Sequence, residues 1–207
     1  ESHISFSFYN LFSHYFVTMD TIFTLGDFDD NGRPDLAIGV PGENNYTGAV
    51  NVIYSSGMGL GSSMGPAGDN HFLMQGMNYM AGSPQIDNQF GFSLAVGDFD
   101  NDGGDDLAIG IPYAGLNGQQ LVGAVQVVHG AKNSGLLVNG GAWNYLVYQG
   151  QTLNGGVIDG SLGTDLFGYS LAAGNFNGDQ YDDLAVGVPR EYWNGNENAG
   201  AVHVLYG

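Results

Sequence analysis

A nine-residue acidic stretch constrains this chain more than any other feature: Asp98-Phe99-Asp100-Asn101-Asp102-Gly103-Gly104-Asp105-Asp106. Carboxylates stand at its positions one, three, five and nine, with a glycine turn between. Two carboxylates about 4 Å apart repel by roughly 4 kcal/mol at an effective dielectric near 20. Four converging ones resist folding unless a cation sits among them. With the carbonyl of position seven, the spacing makes an oxygen cage for a hard cation. Calcium, which takes about 6–8 oxygens at roughly 2.4 Å, fits it best.

The stretch occurs three times. Asp27-Phe28-Asp29-Asp30-Asn31-Gly32-Arg33-Pro34-Asp35 is the first copy and Asn175-Phe176-Asn177-Gly178-Asp179-Gln180-Tyr181-Asp182-Asp183 the third, with starts 71 and then 77 residues apart. The candidate ligands of the first loop are Asp27, Asp29, Asn31 and Asp35 with the Arg33 carbonyl. Those of the second are Asp98, Asp100, Asp102 and Asp106 with the Gly104 carbonyl. Those of the third are Asn175, Asn177, Asp179 and Asp183 with the Tyr181 carbonyl. About three calcium sites are expected. Ligand charge falls from −4 in the second loop to −3 in the first and −2 in the third, so affinity should fall in that order. A metal-free Asp/Asn-Gly hairpin turn is the simpler reading of one such stretch, but three matched copies weigh against it. An EF-hand is rejected because its acidic twelfth position is Ile38, Ile109 or Val186 here.

Internal repetition decides architecture. Each acidic loop is followed by a short apolar strand ending in proline: Leu36–Pro41, Leu107–Pro112 and Leu184–Pro189. Each then reaches a second apolar run, Gly48–Tyr54, Gly123–His129 and Gly200–Tyr206. The loops are preceded by Phe16–Leu25, Phe90–Gly97 and Phe167–Gly174, and a fourth strand is expected at His71–Gln75 and Trp143–Gln149. No helical periodicity appears. Four short strands per unit of this length suggest radially repeated four-stranded antiparallel sheets, an all-β fold.

The Phe-Gly pairs Phe90-Gly91 and Phe167-Gly168, the acidic loops and the Ala-Ile-Gly-Val-Pro type strands together resemble the FG-GAP repeat, which builds the β-propeller of integrin α subunits and of many extracellular proteins. The resemblance implies a calcium-binding hairpin loop between the first two strands of each blade. It covers repeats at about residues 16–75, 90–149 and 166–207 of one 1–207 domain or half-propeller. The first unit departs from it, with Met19-Asp20 where Phe-Gly is expected. The third loop departs too, with Gln180 at position six, where glycine most easily takes a positive φ.

The third unit lacks a fourth strand, while the alternating segment His3–Tyr9 reads as a strand without a unit. It is expected to complete a blade. Three blades are too few for an ordinary ring of about four to eight. Two chains exchanging N-terminal strands, or a longer propeller of which this is a piece, would close it; an open filament is a third route.

The net charge is −18 with three basic residues. That makes nucleic acid and anionic membranes poor partners. Twelve of the 21 acids lie in the three loops, so the acidity is local rather than a general surface property. No apolar run is long enough to insert in a membrane. There is no cysteine to report the redox compartment, and a chain starting at Glu1 reads as a mature or trimmed product. The five histidines show no metal-ligand spacing and read as core or surface residues. No catalytic constellation or phosphate loop is present, and a caged ion serves structure, so no enzyme activity is expected.

Ligand recognition is expected on the face opposite the acidic loops, where Tyr46, Tyr113, Tyr192 and Trp193 lie and could stack on sugars or dock a protein. Asn45-Tyr46-Thr47 is a glycosylation sequon on the same face. The expectation is an extracellular, secreted or surface module for adhesion or recognition of a protein or glycan. The alternatives are a structural subunit of a surface layer or filament, or a non-catalytic domain of a larger secreted enzyme.

Overall fold

A computed structural model describes residues 22–61, 70–76, 83, 85–115, 121–138, 144–153, 156–157 and 164–207. The expected strand His3–Tyr9 and the Met19-Asp20 pair lie outside the described residues. The first blade contains β1 (Ile22–Gly26), β2 (Asp35–Val40), β3 (Ala49–Ile53), a small hairpin of β4 (Ser55–Ser56) and β5 (Gly59–Leu60), and β6 (His71–Leu73). Its main sheet runs β1-β2-β3-β6, with every neighbour antiparallel. The second blade repeats this with β7 (Ser93–Gly97), β8 (Asp106–Ile111), β9 (Ala124–Val128) and β10 (Tyr145–Val147). After a two-residue hairpin, β11 (Thr152–Leu153) with β12 (Gly156–Val157), the third blade has β13 (Ser170–Gly174), β14 (Asp183–Val188) and β15 (Ala201–Leu205). The strands are shorter than the apolar runs that announce them. Phe90 to Phe92, for example, form the entry to β7 rather than part of it. No helix among the described residues is long and apolar enough to cross a membrane.

The blades stack face to face through two apolar cores. Phe28, Val50, Val52, Phe90, Leu107 and Ile109 belong to the core between the first and second blades. Val125, Val127, Phe167, Leu184 and Val186 belong to the core between the second and third. The middle blade is covered on both sides, so β8 and β9 are buried at every residue, whereas β1 and β15 alternate between covered and open positions. A fully buried Val or Leu contributes about 1.5–3 kcal/mol, so the middle blade has the largest share of the apolar stabilisation.

Each new blade also joins its predecessor through backbone. Gly48 forms a parallel bridge with Phe90, and Gly123 one with Phe167. A Cβ at Gly48 would come 2.2 Å from the Phe90 carbonyl oxygen, and one at Gly123 would come 2.3 Å from that of Phe167. Only glycine permits this approach, which explains the Gly-Ala-Val start of the third strand in the first and second blades.

The expected loop after β2 contains one tight turn, Glu43–Tyr46, in which Asn44, Asn45 and Tyr46 take φ of 49°, 56° and 60°. Asparagine tolerates this left-handed region better than most residues.

Candidate metal centre

The acidic stretches form the β1–β2, β7–β8 and β13–β14 hairpin loops. The last strand pair below each loop is Gly26 with Asp35, Gly97 with Asp106 and Gly174 with Asp183. The aspartate at position nine is therefore fixed at a strand start and fully buried in all three blades. Its carboxylate accepts two backbone hydrogen bonds that recur in each copy, and in the third Asp183 accepts one more, from the Asn177 N–H at 3.1 Å. One comes from the position-two N–H: Phe28 to Asp35 at 3.1 Å, Phe99 to Asp106 at 2.9 Å, Phe176 to Asp183 at 2.7 Å. The other comes from the N–H just past the third strand: Ser55 at 2.7 Å, Gly130 at 2.8 Å and Gly207 at 3.2 Å. Position nine thus ties its loop to the far side of its own blade.

Position one closes the turn in the first two loops. Asp27 accepts from the N–H groups of Asn31 and Gly32 at 2.9 and 2.7 Å, and Asp98 from Asp102 and Gly103, both at 3.1 Å. Asp30 and Asn101 at position four and Gly32 and Gly103 at position six all take positive φ. The third loop differs as its sequence suggests. Gly178 at position four has φ 80°, Gln180 at position six stays out of the left-handed region, and Asn175 accepts from Gly178 instead.

In the first loop, ligand atoms of Asp27, Asp29 and Asp35, at positions one, three and nine, lie within 4.8 Å of one another; in the second, Asp98, Asp100 and Asp102, at positions one, three and five, do so, and Asp106 groups with Asp100 and His129. Asp29 is completely buried, and both its carboxylate oxygens, like Oδ1 of Asn31, have no hydrogen-bond donor. Leaving a buried carboxylate unpaired is among the costliest arrangements in a fold. Burial pushes the Asp35 carboxyl up to about 6, with the nearby Asp29 and Asp27 charges adding to the shift. Burial likewise raises Asp29, Asp98 and Asp106. Such clustered, partly buried carboxylates suit a cation, and the donors are oxygens, as a hard ion requires. The third loop assembles no such cluster among the described residues: Asp179 and Asp183 are its only carboxylates at candidate ligand positions, and Asn175 to Tyr181 are all exposed.

Sequence reasoning missed two participants. His129, read as a core or surface residue, is buried with Nδ1 3.2 Å from carboxylate oxygens of both Asp100 and Asp106. Burial favours its neutral form, but the hydrogen bond and charge of Asp106 outweigh that and raise its pKa. Repeat alignment held the signal, since Tyr54 and Tyr206 occupy the matching positions. The second omission is position eight. The Asp105 carboxylate accepts from the Asp27 N–H of the preceding blade at 2.7 Å, and the Asp105 N–H donates back to the Asp27 carbonyl at 3.1 Å. Asp182 does the same to Asp98, at 3.2 and 3.0 Å.

A connector of the second blade roofs the first loop. The Asn133 N–H donates to the Asp29 carbonyl at 2.8 Å, and Lys132 pairs with Asp30. On the opposite face Tyr46, Tyr192 and Trp193 are exposed, while Tyr113 is partly covered by an edge contact with Phe92 at 5.9 Å.

The FG-GAP repeat profile matches residues 21–53, 90–128 and 167–205, the stretches that contain the three acidic hairpins and third strands. The chain is 32% identical over 187 residues to integrin alpha-PS2 of Drosophila melanogaster, an alignment covering 88% of this chain and 11% of that protein. It is 31% identical over 188 residues to integrin alpha pat-2 of Caenorhabditis briggsae, covering 88% and 13%. It is 30% identical over 171 residues to human phosphatidylinositol-glycan-specific phospholipase D, covering 80% and 18%. The chain therefore spans less than a fifth of the length of each of these relatives. Three hairpins with the same position-nine brace, joined at both blade junctions by the same Gly-Phe bridge and matched in register by the family profile, make this chain a member of the FG-GAP repeat family.

Proposed function

We propose that this chain is a calcium-stabilised propeller module that works outside the cell as a recognition or adhesion unit. The observation that carries the calcium assignment is Asp29, whose two buried oxygens accept no hydrogen bond of ordinary geometry and have only the Asn31 amide groups to offset their charge. A calcium ion held by Asp27, Asp29, Asn31 and Asp35, with the Arg33 carbonyl, satisfies them. Asp98, Asp100, Asp102 and Asp106 with the Gly104 carbonyl are the ligands of the second site. Asn175, Asn177, Asp179 and Asp183 with the Tyr181 carbonyl are those of a weak third. The ions are structural: they neutralise converging carboxylates and pin a hairpin at each blade. Micromolar or weaker sites of this kind fill at extracellular rather than cytosolic calcium levels, which supports the extracellular setting. The protein or glycan ligand is assigned to the face opposite the acidic loops, around Tyr46, Tyr192 and Trp193.

The test has two parts. Calcium titration followed by calorimetry should show two sites that lift the thermal midpoint and are removed by chelator; no heat and no shift would reject the ion assignment. Array binding to glycans and matrix proteins, compared with a Trp193→Ala variant, tests the loop face. Signal that is unchanged by the variant and by companion changes at Tyr46 and Tyr192 would move the ligand site elsewhere. A second reading rests on the resemblance to the phospholipase: the chain is a non-catalytic part of a larger secreted enzyme, which a contiguous catalytic domain in the full-length product would establish. The strand-exchange assembly through His3–Tyr9 stays a separate proposal, tested by native mass with and without that segment.

A further inference from the structure

The residue just past the third strand differs among the blades. It is Tyr54 in the first, His129 in the second and Tyr206 in the third. The Tyr54 hydroxyl is engaged away from its loop: it accepts from the Leu136 N–H at 2.8 Å and meets Nδ1 of His71 at 3.1 Å. Tyr206 is exposed. Only the second blade places a ring nitrogen here.

His129 faces the acidic loop of its own blade. Its Nδ1 lies 3.2 Å from Oδ2 of Asp100 and 3.2 Å from Oδ2 of Asp106. It has the alignment of an ordinary hydrogen bond with neither. The side chain is only 8% exposed, so bulk water offers the nitrogen little in exchange. A buried polar atom in that position is unfavourable unless something further satisfies it. Ligand atoms of Asp100, Asp106 and His129 lie within 4.8 Å of one another, in a group that shares only Asp100 with the rim group of Asp98, Asp100 and Asp102.

All three side chains are held in place. Asp106 is fully buried, with Oδ1 accepting from the Gly130 N–H and Oδ2 from that of Phe99. The His129 N–H donates to Oδ1 of Asn144 at 3.1 Å, and its ring lies against Tyr145 with centroids 5.7 Å apart. Asp100 accepts from the Asp102 N–H through Oδ1, which leaves Oδ2 toward His129. Outer contacts of this kind orient the ligands of a metal ion.

The donor set is one imidazole nitrogen and two carboxylates. Calcium is suited by oxygen ligands, whereas imidazole suits zinc and its transition-metal neighbours. Zinc takes nitrogen and carboxylate oxygen together at about 2.0–2.2 Å, four around a tetrahedron, which sets neighbouring ligand atoms about 3.3 Å apart. The two separations of 3.2 Å match that spacing. The Asp100 side chain is 41% exposed, so water can reach the fourth position.

We propose that Asp100, Asp106 and His129 form a mixed oxygen–nitrogen site for a transition divalent ion of the zinc type, so that the second loop accepts an ion which the all-oxygen first loop does not favour. The site shares Asp100 and Asp106 with the calcium set assigned above, and the two ions exclude one another there. It does not require that the loop bind calcium.

The test titrates the full chain, stripped of metal by chelator, with zinc alone and with calcium alone. His129→Tyr, which installs the residue of the other two blades, is measured beside it. The parent should bind zinc at least about tenfold more tightly than the variant, since loss of even an outer partner weakens metal binding about 10–100-fold. Calcium binding should change far less. Equal loss for both ions means that His129 only supports the loop, and unchanged zinc affinity means that its nitrogen is not a ligand; either result overturns the proposal. Zinc binding without calcium binding would reject the calcium reading and leave this one standing. Calcium binding without zinc binding rejects this one alone. If the variant does not fold, nitrogen NMR of the parent decides. One equivalent of zinc should shift the Nδ1 resonance of His129, and an unmoved resonance overturns the assignment.

Discussion

Replacing Asp29 by asparagine should reverse its effect on stability according to whether calcium is present. In the first loop the ligand atoms of Asp27, Asp29 and Asp35 come within 4.8 Å. At that distance and an effective dielectric near 20, each pair of ionised carboxylates repels by about 3 kcal/mol. Asp29→Asn removes two of the three pairs. Partial protonation of Asp35 and water at the loop rim reduce the gain, and asparagine leaves polar atoms of its own unpaired at about 1–3 kcal/mol. The net is about 2 kcal/mol in favour of the variant, or about 5 °C for a domain of this size. The assay is thermal unfolding in chelator and then in calcium at about 100-fold its Kd, where an occupied site adds about 2.7 kcal/mol to the parent. The variant, with a weakened site, forgoes most of that. It should therefore melt above the parent in chelator and below it in calcium. A variant that melts below the parent in both conditions would refute the reasoning, because Asp29 would then be stabilising the fold without an ion.

Other outcomes follow from the same geometry. In chelator, the raised carboxyl of Asp35, at about 6, makes its ionised form the disfavoured one; the cost is absent below about pH 3.8, grows between 3.8 and 6, and is full above. The ion-free protein should accordingly melt higher at pH 5 than at pH 7.5, and saturating calcium should reverse that order, as thermal scans in both buffers will show. Asp105→Ala leaves the Asp27 N–H without its acceptor and should cost about 1–3 kcal/mol, read from urea midpoints, with no loss of calcium at the second loop. Gly123→Ala forces a Cβ to 2.3 Å from the Phe167 carbonyl and should cost more than about 3 kcal/mol, the upper end of the usual range for a single change, with the third blade losing amide protection first. Calorimetric titration of variants with one loop intact should rank calcium affinity second, first, third; tightest binding in the third loop would contradict the ligand-charge argument.

Much of this molecule is legible in its sequence because the repeats calibrate one another. The acidic loops, the proline-ended second strands and the Gly-Ala-Val third strands recur at matching places, so three-strand blades and hairpin loops could be read without any contact information. Period-two alternation does not find β8, which is buried throughout because blades cover it on both sides; there the proline stop and the preceding loop carried the reading. The candidate ligands Asp27, Asp29 and Asp35, and Asp98, Asp100 and Asp102, do converge. His129 escaped notice because its contact with Asp106 runs across the blade from the end of β9, a proximity that spacing along the chain does not encode. Position eight was overlooked for a similar reason: Asp105 and Asp182 act on a neighbouring blade, and only the packed structure shows which backbone they reach. The third loop was legible in part in its departures, since Gln180 at position six, where glycine is favoured, marks a turn of a different shape; that Gly178 at position four takes the positive φ there is seen in the structure.

Positions eight and nine of the loop are consecutive residues with opposite allegiances. Asp106 holds the end of its own third strand, whereas Asp105, one peptide unit away, holds the start of the preceding loop. The hairpin proposed to hold an ion is thus also the joint between blades. Ordering one loop restricts the backbone on which the next loop's clamp rests, and each clamp joins a blade to the one before it in the chain. The row of acidic loops is in this sense a coupled array: order imposed on one loop reaches its neighbour through two hydrogen bonds, and by linkage the effect is the same in both directions.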